Sequence, residues 1–300
     1  MSKISIRFFN DREVRAIGDE ANSKWWFSVV DIVAAITDSP NPRKYWSVLK
    51  TRLKNAGNEL TTNCSQLKLT AADGKKYATD CFAQEDITPL VKLIPSKKAT
   101  TFLDWFTYSD NTIDGQSKKK AYTFMESDLV ANEDVGTIKS LQQIHAYIFG
   151  GLYDFAGQIR NKTISKGGFT FCLAEYLHPA LRDIEKMPED TFDQIVNKYV
   201  EMNVAHPFME GNGRSTHIWL DLILKRRLGK CIDWSKITKN DYLNAMIISH
   251  TKSDRIKELL TSALTDKIND RETFMKGIDY SYYYEQEAKG FNYINRFIVT

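Results

Sequence analysis

The sequence predicts a multidomain α+β chain, in which a small mixed α/β domain at the N-terminus is followed by an all-α domain carrying a β-hairpin flap. Three observations predict it. Short strand-like and helix-like stretches alternate as far as Phe106, a polar stretch follows, and from Ile138 onward long segments repeat apolar residues every three or four positions. The expected division is residues 1–110, a linker over 111–135, and a second domain over 136–290. A chain of 300 residues is long enough to bury both cores.

Within the first domain, Ile4 to Phe9 alternates as a strand does, and the apolar cluster Trp25-Trp26-Phe27 precedes a helical pattern of Val29, Val30, Ile32, Val33 and Ile36. Pro40 and Pro42 end that helix. Tyr45, Trp46, Leu49 and Leu53 mark the next. Asp73-Gly74 is a turn signal between the strand-like pieces Leu67–Leu69 and Tyr77–Thr79. Ile87–Ile94 and Ala99–Phe106 read as two short helices. The stretch Ser109 to Lys120, rich in Asp, Asn, Ser, Gly and Lys, reads as the start of the linker.

Helices are expected over Leu141–Phe149, Leu173–Met187, Thr191–Ala205, Arg214–Leu228, Lys239–Ser249 and Ser253–Thr265, each with one apolar face. The exception is Lys166-Gly167-Gly168-Phe169-Thr170-Phe171, where a Gly-Gly pair beside alternating Phe and Thr reads as a hairpin.

Composition narrows the class. With 42% hydrophobic and 26% charged residues the chain reads as globular rather than disordered or fibrous. The sequence shows no run that would span a bilayer and no signal peptide at Met1–Phe9, so a cytoplasmic location and no membrane partner are expected. Cys64, Cys81, Cys172 and Cys231 share no CxxC spacing, which argues against a disulfide framework and a structural zinc site. Residues 1–120 carry a net charge of +5 and the remainder −2. That asymmetry permits nucleic-acid binding by the N-terminal part.

The chemistry concentrates in His206-Pro207-Phe208-Met209-Glu210-Gly211-Asn212-Gly213-Arg214. A short Gly-rich turn feeding a helix exposes backbone N–H groups that phosphate can accept. Gly211 and Gly213 allow close approach, Asn212 offers an amide, and Arg214 a planar charged fork. Glu210 has the oxygen chemistry for Mg²⁺. His206, with an ordinary pKa of about 6.5, can take a proton from a hydroxyl nucleophile at neutral pH. The Gly-Lys-Ser/Thr of a Walker A loop is absent.

These residues resemble the Fic family, whose motif is His-x-Phe-x-Asp/Glu-Gly-Asn-Gly-Arg-x-x-Arg. The match is ungapped from His206 to Arg214, and the similarity covers about Ile138 to Gly290, including the stretch Gly150 to Arg160. The resemblance implies an all-helical catalytic core that transfers AMP from ATP to a Tyr, Thr or Ser hydroxyl of a target protein. It implies His206 as general base, Phe208 as the loop's anchor and Glu210 as the Mg²⁺ ligand. Asn212 with the Gly211 and Gly213 backbone would bind the α- and β-phosphates, and Arg214 would assist at the β-phosphate. The motif's last Arg is replaced by His217, which implies weaker or differently oriented ATP binding or a changed nucleotide preference.

The flap Lys166, Gly167, Gly168, Phe169 and Thr170 matches the family segment that docks a target backbone by β-augmentation. Packing of Phe169 and Phe171 into the core is the alternative. Ser281 and Glu285 match the inhibitory helix of the single-domain subclass, where a glutamate enters the γ-phosphate pocket, although Gln286 stands where Gly or Asn is usual. An exposed helical carboxylate is the competing reading.

The N-terminal domain is more distantly similar to the Bro-N family, through Trp25–Ile36, Tyr45-Trp46 and Ala83–Asp86. That resemblance implies DNA binding, with Arg43, Lys44, Lys50, Arg52 and Lys54 as candidate phosphate contacts. The sequence leaves open transfer or removal of another phosphate-containing group, an impaired Fic scaffold with a DNA- or protein-binding N-terminal domain, and assembly into a homo-oligomer.

Overall fold

The computed structural model describes residues 3–285 except 20, 23, 38, 72, 128–133 and 167. It divides into two compact units, Met1–Thr112 and Ile113–Thr300.

In the first unit five strands form one antiparallel sheet in the order β1 (Lys3–Phe9), β2 (Arg12–Asp19), β3 (Lys24–Ser28), β5 (Lys76–Ala83) and β4 (Ser65–Thr70). Strand β1 coincides with the stretch expected to be extended. Its partner β2 was not expected, because the exposed Arg12 and Glu13 give its start the look of a loop. Yet Val14 and Ala16 are fully buried at alternate positions. The two residues between β1 and β2, Asn10 and Asp11, have φ of 46° and 60°, the left-handed pair that a tight hairpin turn needs.

Helix α1 (Val29–Ile36) starts at Ser28, whose hydroxyl accepts from the Asp31 amide. Helix α2 (Pro42–Asn55) is capped by Asn41 with Pro42 in its first turn, so the proline pair that ends one helix also begins the next. Asp31 accepts a two-bond fork from Arg15, 2.7 Å at each oxygen, which ties β2 to α1. Helices α3 (Gln84–Lys92) and α4 (Ala99–Tyr108) complete a core built on Phe27, Ile32, Phe82 and Phe102.

The second unit opens on α5 (Ile113–Met125), a helix inside the stretch expected to be a linker. Ser117, Ala121, Tyr122 and Phe124 make a narrow buried face, easily lost among the surrounding Asp, Gln and Lys. Lys118 forms a salt bridge with Asp279 at 3.2 Å.

The remaining helices are α6 (Ile138–Phe149), α7 (Ala174–Glu185), α8 (Phe192–Ala205), α9 (Asn212–Leu228), α10 (Lys239–Ser249), α11 (Asp254–Ser262) and α12 (Arg271–Glu285). The helix expected to reach Thr265 stops at Ser262, because Leu264–Thr265 pairs with Cys231–Ile232 as a small antiparallel ladder.

Helix α9 departs from the one-faced pattern expected of it, being buried on all sides over most of its length and packed by α6, α8 and α12. Its polar residues are tolerated inside because they bond to their own helix: Ser215 Oγ donates to Gly211 O at 3.0 Å and Thr216 Oγ1 to Gly213 O at 3.2 Å.

The expected flap is a short hairpin of β6 (Ser165–Lys166) and β7 (Phe169–Thr170), with Gly167 outside the described residues. Gln286 also lies outside them. Among the described residues no helix is long and apolar enough to cross a membrane. The four cysteines form no disulfide.

Candidate active site

Helix α8 begins with a reciprocal Thr191–Gln194 capping box and ends at His206, which adopts the left-handed conformation with φ 51° and ψ 66°. A β-carbon is disfavoured there by about 1–2 kcal/mol, so something must hold the turn. Arg160 does so. Its Nε donates to His206 O at 2.7 Å, Nη2 to Ala205 O at 3.0 Å and Cys172 O at 2.5 Å, and Nη1 to Lys162 O at 2.6 Å. Its backbone N–H reaches Pro207 O at 2.8 Å. The guanidinium is 3% exposed and compensates its burial with carbonyl dipoles, two of them from the end of α8.

The His206 ring lies half-buried, stacked parallel to Phe171 with centroids 3.7 Å apart. Nδ1 lies 3.2 Å from Asn203 O, an atom that can only accept, so Nδ1 carries the proton and Nε2 keeps its lone pair. Burial pushes the imidazole down to about 4, which keeps it a free base at neutral pH.

The turn between the helices is then pinned from beneath. Phe208 is fully buried and stacks on His145 at 3.8 Å. His145 accepts from Gly157 N at Nδ1 (2.8 Å) and donates from Nε2 to Glu210 O (2.9 Å). Asn212, expected to offer its amide to phosphate, closes the loop on itself: Oδ1 accepts from Phe208 N at 2.8 Å and Nδ2 donates to Phe208 O at 2.7 Å. Gly211, at φ 79°, is required because a β-carbon would lie 2.4 Å from the Phe149 ring.

At the start of α9, Arg214 is 4% exposed between the rings of Phe149 and Tyr282. Its Nη2 donates to Glu210 Oε1 at 2.6 Å and its Nη1 to the Asp114 carboxylate, while Nε has no partner among the described residues. Burial opposes this charge, and Asp114 followed by Glu285 more than offsets it.

Glu285, the last residue of α12, reaches the same place. Its Oε2 is 3.1 Å from Lys166 Nζ on the flap, and its Oε1 is only 2.0 Å from where a β-carbon on Gly213 would stand. Burial would raise this carboxyl, but the Lys166 ammonium and then the Arg214 guanidinium hold it at about 2.

The structure does not put every expected residue in this space. His217 is 2% exposed inside a box of Trp234, Tyr242, Tyr284 and Tyr199, with ring centroids 4.3, 5.1, 5.8 and 6.1 Å away. Nδ1 donates to Gly213 O at 2.7 Å, and Nε2 has no partner among the described residues. Burial lowers its pKa to about 4. At the position where the resemblance implies a charged Arg, the structure thus has a neutral ring in an aromatic enclosure. Ser281 is also buried, donating to Ile278 O of its own helix at 2.8 Å. On the flap, Phe169 is 37% exposed and Phe171 packs on His206.

Residues 136–224 match the Fic/DOC family. This segment is a Fic/DOC-family domain. Over 154 residues the chain is 29% identical to the protein adenylyltransferase VbhT of Bartonella schoenbuchensis, a match covering 46% of this chain and 32% of that protein. It is 34% identical over 118 residues to the probable protein adenylyltransferase y4lH of Sinorhizobium fredii, covering 35% of this chain and 61% of that one. The chain thus spans less than two thirds of the length of these relatives. The solved BepC protein of Bartonella tribocorum has a TM-score of 0.45 at 18% identity, over 51% of this chain and 84% of that one.

Three residues of the second unit carry no signal of their contacts in the sequence. His145 and Arg160 lie within the region of family resemblance, but nothing in their spacing says that one supports Glu210 and the other His206. Asp114 lies in the stretch read as a linker, and no sequence signal connects it to Arg214 across 100 positions.

Proposed function

We propose that this chain transfers AMP from ATP to a hydroxyl side chain of a target protein and that Glu285 restrains the reaction. The observation that carries the reading is the pairing, at the two ends of one loop, of a neutral imidazole with a helix entrance where a carboxylate is seated. The names of the VbhT and y4lH relatives support the same chemistry.

His206 Nε2 takes the proton of the target hydroxyl, and the oxygen attacks the α-phosphorus. The bond from that phosphorus to the oxygen shared with the β-phosphate breaks, and pyrophosphate leaves with the electron pair. The N-terminal amides of α9 and Arg214 bear the charge on the phosphates. The flap β6–β7 offers a short edge on which an extended target segment can pair.

The donor set fits Mg²⁺ in a limited way. Among the described residues no group of three or more His, Cys, Asp or Glu could hold a metal, but Glu210 contributes one carboxylate, the share that Mg²⁺ takes from protein when phosphates supply the rest. Bound there, Mg²⁺ would neutralise phosphate charge.

Glu285 occupies the anion seat, so the chain as it stands is the restrained form. The test is intact mass and label transfer with ATP and Mg²⁺, comparing α- and γ-labelled ATP. Glu285→Gly should gain an adenylyl mass on itself or on an added target with retention of α-label. His206→Ala in that background should lose it by about 10²–10⁴-fold. Retained γ-label would replace the reading with phosphoryl transfer, and no label on any variant would end it.

For the first unit, the exposed Arg43, Lys44, Arg52 and Lys54 on α2 favour duplex DNA as a partner. Retention of a random duplex that weakens steeply with salt, and is lost when these four are replaced by Ala, is the expected result. Salt-insensitive or absent retention overturns it.

A further inference from the structure

The Fic/DOC motif is expected to close with a cation at position 217, and here that position holds a neutral imidazole sealed in an aromatic box. A nucleotide with three phosphates still brings more negative charge than Arg214 alone can meet. The groups around Glu285 show where another positive charge stands. Its carboxylate is bracketed by the entrance of α9 at Gly213 and by Lys166 Nζ at 3.1 Å. Lys166 is fixed on β6 opposite Phe169, so its backbone is held by the hairpin rather than by Glu285. A carboxylate and a phosphate ask for the same partners, and the one held here marks a position an anion can occupy.

We propose that Lys166 is a nucleotide-contacting residue, which passes from Glu285 to the terminal phosphate of the nucleotide when α12 withdraws its carboxylate, and so fills the charge that His217 leaves out. This rests on the reading of the site as nucleotide-binding. It gives the flap a second task besides target docking. It also makes selection of a triphosphate over a diphosphate depend on the flap rather than on the helix that carries the motif. The Lys166 ammonium is kept charged by Glu285 now and would be kept so by phosphate later.

The test is calorimetric titration of ATP and of ADP, each with Mg²⁺, into Glu285→Gly and into the same chain carrying Lys166→Ala or Lys166→Arg. No target protein is present, so a flap role confined to target docking cannot move the readout. Lys166→Ala should weaken ATP binding about tenfold, equivalent to about 1.4 kcal/mol, and ADP binding less than about threefold. Lys166→Arg should keep most of the ATP affinity. Equal losses for ATP and ADP, or no loss, would overturn the role of Lys166 while leaving the nucleotide reading intact. Failure of Glu285→Gly itself to bind either nucleotide would overturn both.

Discussion

Two buried arginines flank the loop from His206 to Arg214, and they are satisfied in opposite ways. Arg160 bonds to backbone carbonyls, whereas the bonds of Arg214 go to the side chains of Glu210 and Asp114. A carbonyl of the main chain cannot leave without unfolding its segment. A side-chain carboxylate can turn away and be replaced by another anion. The difference separates a fixed end of the loop, where the turn at His206 is held, from an exchangeable end, where charged side chains meet.

The sharpest way to break this comparison is to remove the fixed guanidinium. Arg160→Leu strands four carbonyls around a left-handed turn and should destabilise the second unit by about 3–5 kcal/mol in denaturant unfolding. The milder Arg160→Lys, in the Glu285→Gly background, should lower kcat about 100-fold with little change in the KM for nucleotide, since only the base is misplaced. If KM moves and kcat does not, Arg160 serves the charged end instead.

A second effect is set by the buried histidines of both ends. His145 and His217 each stand at about 4 against an ordinary value of 6.5, so the unfolded chain binds protons there that the folded chain refuses. Their contribution is fully present above pH 6.5 and is lost as pH falls from 6.5 through 4, about 3 kcal/mol for each fully buried ring. Unfolding free energy measured over that window should fall steeply, and His217→Gln should flatten part of the slope. A profile level down to pH 5 would contradict the neutral imidazoles.

The depressed Glu285 gives a complementary expectation. Its ionised contact with Lys166 is present above the ordinary carboxylate value of 4.5 and is lost only as pH falls toward 2. Self-labelling by the unmodified chain should therefore remain restrained throughout pH 5–8. A rise in labelling on acidification within that range would count against the carboxylate as the restraint.

The smallest effect belongs to Asp114. Its side chain is half exposed, so Asp114→Asn should change stability by less than about 1 kcal/mol. By freeing one arm of Arg214 it should strengthen nucleotide binding about threefold to tenfold, and weaker binding would make Asp114 a support for Arg214 rather than a competitor.

The same contrast explains what the sequence disclosed. The clustering of His206, Glu210, Gly211 and Arg214 in one turn between two helices is readable because several demanding residue types crowd into nine positions that an ordinary turn would not need. Helices α6 to α8 were readable from their one-sided apolar spacing, and β1 from its alternation. Arg160 acts through carbonyls, which have no residue identity, so its role leaves no mark in the sequence. Asp114 and Lys166 act through tertiary proximity to single distant partners. Strand β2 was hidden by charges at its start, and α9 misled because it buries polar residues that bond to its own backbone. Nothing in the sequence tells that the ring of His217 lies among Trp234, Tyr242, Tyr284 and Tyr199.

Gly213 has a genetic consequence. Any side chain at that position would collide with the Glu285 carboxylate, which looks like an easy route to lifting the proposed restraint. The phosphate proposed to succeed that carboxylate would meet the same obstruction, so a mutation there should abolish the proposed transfer together with the proposed restraint. In a selection for hyperactive alleles, winners should arise along the C-terminal helix, and the recovery of even one at codon 213 would show that the two anions do not share a berth.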